Sequence, residues 1–132
     1  MNDTPLKIER QEILEKQGSP TVRFIIDSHT FILPYAFFVR AECHVQDDRF
    51  LIIAHWTTLL VTIQGFRLDK LVEWLAEYRL FSVTLRTEIE KSPDENQPYL
   101  ERILITMREE SPSRGRTLRK NRKLLTESVG RP

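Results

Sequence analysis

An α+β fold is what this sequence predicts: a small, curled, mainly antiparallel sheet of five to seven strands, with barrel-like closure left open, covered by one amphipathic helix. Three observations carry that expectation. Short runs with apolar residues at every second position follow one another from Thr21 to Gln64, as half-buried strands require. The pattern changes once, at Leu68, to a spacing of three and four, which lines up one face of a helix. Alternation then returns from Phe81.

Taken in order, residues 1 to 20 read as a lead-in, in which Leu6, Ile8, Ile13 and Leu14 make a thin stripe compatible with a short helix ended by Gly18 and Pro20. Residues 21 to 107 form the single α+β domain. Thr21 to Asp27 is a strand with Val22, Phe24 and Ile26 on one face, and Asp27-Ser28-His29 supplies the polar turn before Thr30 to Leu33 resumes. Pro34 lacks the ladder N–H, so it marks an edge, bulge or corner. From Phe37 to Val45 the alternation is clean. It assigns Phe37, Val39, Ala41, Cys43 and Val45 to the core and Phe38, Arg40, Glu42, His44 and Gln46 to the other face. Asp47-Asp48 marks a turn, Phe50 to Trp56 a strand, and Leu60 to Gln64 the next, ending at Gly65.

Over residues 68 to 79 the stripe Leu68, Leu71, Val72, Leu75 and Tyr78 predicts the helix, joining two strands and covering the sheet to which they belong. Phe81 to Arg86 is the strand that follows. Lys91 to Pro98 is a charged, turn-forming loop, and Tyr99 to Met107, with Ile103 and Ile105 favouring extended backbone, is the last strand. Residues 108 to 132 form a basic tail, too poor in apolar residues to offset the entropy of ordering and expected to be disordered.

One core suits a chain of 132 residues. The net charge of +1 conceals an asymmetry: residues 1 to 110 hold 13 Lys/Arg against 18 Asp/Glu, a formal −5, whereas residues 111 to 132 hold seven basic groups against Glu127, a formal +6. An acidic body repels polyanions, so any attraction to nucleic acid belongs to the tail. With one cysteine, Cys43, no intrachain disulfide is available. The amino terminus lacks the apolar run of a secretory signal, and the uncharged stretch from Phe50 to Phe66 is too short and too polar for a helical membrane span. A cytoplasmic location and no membrane span are the expectation.

Several chemistries are argued against by the residues themselves. Glycines stand only at 18, 65, 115 and 130, so neither a phosphate-cradling loop nor a dinucleotide fingerprint can be written. Gly65 is expected to supply an unusual backbone angle between strand and helix. His29, Cys43, His44 and His55 are four potential metal ligands, but alternation sends Cys43 and His44 to opposite faces and no CxxC, HxH or HExxH spacing occurs. Cys43 is therefore expected to be a small buried residue, the histidines surface or edge groups, and no metal or cofactor is assigned. Asp27-Ser28-His29 contains triad residue types, yet neighbours in a turn do not aim into one relay. Glu88/Glu90 and Glu109/Glu110 read as solvated charge. No catalytic residue is assigned, and the balance leans away from an enzyme. One set stays open: Arg40, Glu42, His44 and His55, should neighbouring strands bring them together.

The tail offers a partner chemistry of its own. Arg114, Arg116, Arg119, Lys120, Arg122 and Lys123 are six cations within ten residues, suited to salt-dependent, sequence-independent phosphate contact. Solubilisation is the plainer role for such a segment, and no aromatic residue interleaves it to stack on bases. The expected function is a small noncatalytic interaction or regulatory module. Its expected partner is a protein, a second copy included, engaged through an exposed strand edge or the aromatic region of Phe37, Phe38 and Trp56. Accessory nucleic-acid binding through the tail is the alternative.

At Leu33-Pro34-Tyr35-Ala36 followed by Arg40, and at Val61-Thr62-Ile63-Gln64-Gly65 with Leu68 and Leu71, the chain resembles a group of small uncharacterised bacterial proteins with LPYA…R and VxIxG…LxxL segments. The resemblance spans about residues 21 to 86. It implies a compact β-rich module and no activity.

Overall fold

The computed structural model describes residues 9 to 108. Along the chain run β1 (Gln11–Glu15), β2 (Thr21–Ile26), β3 (His29–Pro34), a 3-10 turn (Tyr35–Phe37), β4 (Phe38–Gln46), β5 (Arg49–Trp56), β6 (Leu59–Phe66), α1 (Asp69–Ala76), β7 (Leu80–Leu85) and β8 (Tyr99–Met107). They form two four-stranded sheets, ordered β1-β7-β2-β3 and β4-β5-β6-β8. All pairs are antiparallel except β2 with β7.

The α+β class and the mainly antiparallel pairing hold, but the expected single curled sheet is replaced by two sheets, and among the described residues no barrel closes. Pro34 explains the division. It ends β3 without a ladder N–H, the 3-10 turn redirects the chain, and Tyr35 N–H donates to Pro20 O at 2.9 Å, so β4 departs to begin a second sheet. The segment read as a short helix before residue 20 holds strand β1 instead, paired with β7 from Gln11 to Glu15. Gln11 also clamps β8: its Nε2 donates to Pro98 O at 2.8 Å and its Oε1 accepts from Leu100 N–H at 2.7 Å.

Tight turns connect the hairpins. Asp47 and Asp48 both adopt positive φ, 51° and 70°, the backbone hand of a two-residue hairpin loop that follows the twist of β4 and β5. Asp27, at φ 55°, turns β2 into β3. Its carboxylate also accepts from the Thr87 N–H and hydroxyl, each at 2.8 Å, tying the hairpin to the end of β7.

One apolar core draws on both sheets and the helix. Phe24 of β2 meets Trp56 of β5 edge to face, 6.2 Å between centroids, and the Trp56 Nε1–H donates to Pro34 O at 2.9 Å. Each fully buried large apolar side chain contributes about 1.5–3 kcal/mol. Helix α1 buries Leu71 and Leu75 with Leu68 before it and half-buries Val72, but it ends at Ala76 rather than 79, and Tyr78, the last residue of the predicted stripe, lies beyond it at φ 62° and is exposed. The course of the helix differs from expectation: β6 and β7 belong to different sheets, so α1 carries the chain from one sheet to the other. Strand β7 takes that place because β1 and β2 flank it there on both edges.

Gly65 has no positive φ; Arg67 carries the left-handed turn, at φ 52°. The glycine is required by proximity instead, since a Cβ there would lie 2.2 Å from Tyr99 O. At this point the β6–β8 register shifts between Gln64 and Gly65.

Candidate functional site at the β4 edge

Among the described residues, strand β4 lies at one end of its sheet and pairs on one side only, with β5. The register sets Ala41 opposite Ala54, Cys43 opposite Ile52 and Val45 opposite Phe50, and residues opposite one another in a ladder share a face. On β5 that face is core: Phe50, Ile52, Ala54 and Trp56 are all buried. On β4 it is not, because Ala41, Cys43 and Val45 are exposed, Val45 to 55%. The inner face of the sheet thus runs one strand beyond the layer that covers it.

This arrangement corrects the expected β4 core set. A bulge between Phe38 and Arg40 shifts the register and puts Phe38, not Phe37, against the core. The Phe38 ring packs on Trp56 at 4.9 Å between centroids, whereas Phe37 and Val39 are exposed. Of the aromatic region, Trp56 is core, Phe38 half-buried and Phe37 free. Cys43, expected to be buried, is exposed; partial desolvation, followed by the Asp69 carboxylate, pushes its thiol pKa up.

The opposite face of β4 gathers the four side chains whose convergence was open. Arg40 lies opposite His55 in the ladder. Glu42 is the hub: Arg40 Nη2 approaches its Oε2 to 3.3 Å, His55 Nε2 the same oxygen to 3.5 Å, and His44 Nε2 its Oε1 to 3.9 Å. His55 departs from the surface role expected of it, its side chain being only 12% exposed. Both ring nitrogens are shielded from solvent, and among the described residues neither has an aligned hydrogen bond. Desolvation holds the His55 pKa below its ordinary value; Arg40 adds to that, Glu42 opposes it, and Arg108 lowers it further.

A neutral imidazole beside a carboxylate has the ingredients of acid–base chemistry. Two features weigh towards a packing role. The Glu42 charge is already matched by Arg40. A groove of about 240 Å³ at the end of β4 and β5 is lined by His44, Gln46 and Arg49 but by none of Arg40, Glu42 and His55. A larger groove, of about 500 Å³, is lined by Arg10, Thr87, Glu90, Lys91 and Tyr99, with the Arg10 guanidinium 4.5 Å from the Tyr99 ring centroid.

Among the described residues no group of three or more His, Cys, Asp or Glu side chains is placed to hold a metal ion, and no helix there is long and apolar enough to cross a membrane. The tail cations Arg114, Arg116, Arg119, Lys120, Arg122 and Lys123 lie outside the described residues. The exposed inner face of β4 escaped the sequence reading, because alternation looks the same whether or not a second layer covers the strand. Arg108, whose charge lowers the His55 pKa and whose Nη1 donates to Trp56 O at 3.4 Å, is missed too, because by composition it belongs to the basic tail. No protein-family model matches this chain, and comparisons with curated proteins and with solved structures give no significant match.

Proposed function

We propose that this chain is a noncatalytic interaction module that takes its partner by strand addition along β4. In that mode an extended segment pairs with a free sheet edge, main-chain hydrogen bonds supply affinity, and alternate side chains supply specificity. The observation that carries the reading is the exposure of Ala41, Cys43 and Val45 on the face whose β5 neighbours are core. An added strand places apolar residues beside them and satisfies the free backbone groups of the edge. Natural edges are commonly blunted by lysine, proline or inward-pointing charge; the stretch from Arg40 to Gln46 contains no lysine or proline, and its inward residues are Ala41, Cys43 and Val45.

Accessory nucleic-acid binding through the six tail cations is the second reading, favoured by their density between Arg114 and Lys123. A single capture experiment separates the two, with the full chain, a chain ending at Glu110 and an Ala41→Lys/Val45→Lys variant as baits in native lysate. Strand addition predicts protein partners retained by the shortened chain and lost by the double-lysine variant. Partners lost on shortening and released by salt or nuclease would assign the function to the tail.

A further inference from the structure

Resting on the strand-addition reading, we propose that the strand added to β4 is β4 of a second copy of this chain, paired antiparallel with Cys43 on the two-fold axis. An edge that pairs with itself makes an isologous interface, closed at two copies. The usable length of β4 is bounded at both ends: the bulge between Phe38 and Arg40 interrupts the ladder, and the positive-φ turn at Asp47 and Asp48 ends it. The regular stretch is therefore Arg40 to Gln46, and pairing all of it with itself puts its midpoint, Cys43, on the axis.

The side chains then match. Glu42 falls opposite His44 of the second copy, Ala41 opposite Val45, and Arg40 opposite Gln46, each pair occurring twice. No like charges oppose one another. Moving the axis to Glu42 sets two carboxylates face to face, which is unfavourable, and moving it to Ala41 carries the bulge into the ladder. On the inner face Ala41, Cys43 and Val45 of both copies form one apolar strip continuous with Ala54, Ile52 and Phe50 of β5, joining two four-stranded sheets into one of eight.

Other edges suit this less well. Strand β1 is five residues long with a register shift, and β3 ends on Pro34. Strand β8, the far edge of the same sheet, keeps Leu100 and Ile103 buried and Ile105 partly so, leaving only Met107 at its end exposed on the inner face.

The test uses the full chain. Sedimentation should give twice the chain mass, and a short bis-maleimide should link the copies through Cys43. A Cys43→Ser/Ser92→Cys control, its thiol moved to an exposed loop position, should still sediment as a dimer but fail to cross-link. Ala41→Lys/Val45→Lys opposes lysine to lysine twice and should give a monomer with an unchanged far-UV circular dichroism spectrum. If that variant misfolds, hydrogen exchange on the unaltered chain decides: amides of Arg40 to Gln46 slow with rising concentration if β4 pairs with itself. A monomer at every soluble concentration, or a dimer indifferent to the lysines and unlinked through Cys43, overturns the proposal. A monomer that still loses its captured partners on lysine substitution overturns self-pairing alone and leaves strand addition standing.

Discussion

Between Arg40 and Glu42, the His55 imidazole is surrounded closely enough that taking up a proton costs the folded state more than the unfolded chain. Its pKa is lowered from 6.5 by desolvation first and Arg40 next, so the unfolded chain binds the proton better. The resulting stability is fully present above 6.5 and is lost as pH falls through the lower folded value. His55→Asn should therefore flatten the dependence of the urea midpoint on pH between about 7 and 5; parallel slopes for the two proteins would contradict it. Asp27 acts in a separate window, because its bonds from Thr87 hold its carboxyl below 3.8, and its contribution is lost only as pH falls beneath that value. The chemistry of His55 was not legible in its own residue type. His29, His44 and His55 all sit in polar or alternating contexts, and only the β4–β5 register, with Arg40 opposite, sets His55 apart.

At the scale of elements, the crossing of β6 and β8 depends on a missing side chain. Tyr99 O would stand 2.2 Å from a Cβ at position 65, and Leu100 Cα 3.2 Å away. Both are backbone, which cannot swing aside as a flexible side chain would. Gly65→Ala should destabilise the fold by ~3 kcal/mol, the upper part of the usual overpacking range, read as a lower urea midpoint. An unchanged midpoint would mean that the two strands can part there without cost. Sequence located these elements well, since period 2 and period 3.6 are local properties: β2, β5, β7 and β8 lie where their spacing placed them, and α1 starts there but stops at Ala76, short of the predicted end at 79. It misjudged β1, where Ile13 and Leu14 suit either a helix or a strand and only pairing with β7 decides. The segments around Leu33-Pro34-Tyr35-Ala36 and from Val61 to Leu71 are largely core, with Leu33, Tyr35, Val61, Ile63, Leu68 and Leu71 all buried. Tyr35 also donates its hydroxyl to Leu80 O at 2.6 Å. Such residues carry fold rather than chemistry.

For the whole molecule, the question is whether two sheets behave as one body. Phe24, Trp56 and Leu75 come from one sheet, the other sheet and the helix, and all are buried in a single cluster, so neither sheet has a core of its own to retain. Unfolding followed by tryptophan fluorescence, reporting on Trp56 and Trp74, should coincide with unfolding followed by far-UV circular dichroism. Two separated transitions would show that the sheets are independent units. Sequence by itself determined the hydrophobic periods, the turns at Asp27 and Asp47–Asp48, the break in the ladder at Pro34 and the start of the helix, because each depends on residues adjacent along the chain. Tertiary structure alone decided the division into two sheets, the parallel β2–β7 pair, the crowding at Gly65, the burial of His55 and the uncovered inner face of β4. Those depend on which distant strand lies alongside and on whether a second layer reaches over it, and alternation along one strand records neither.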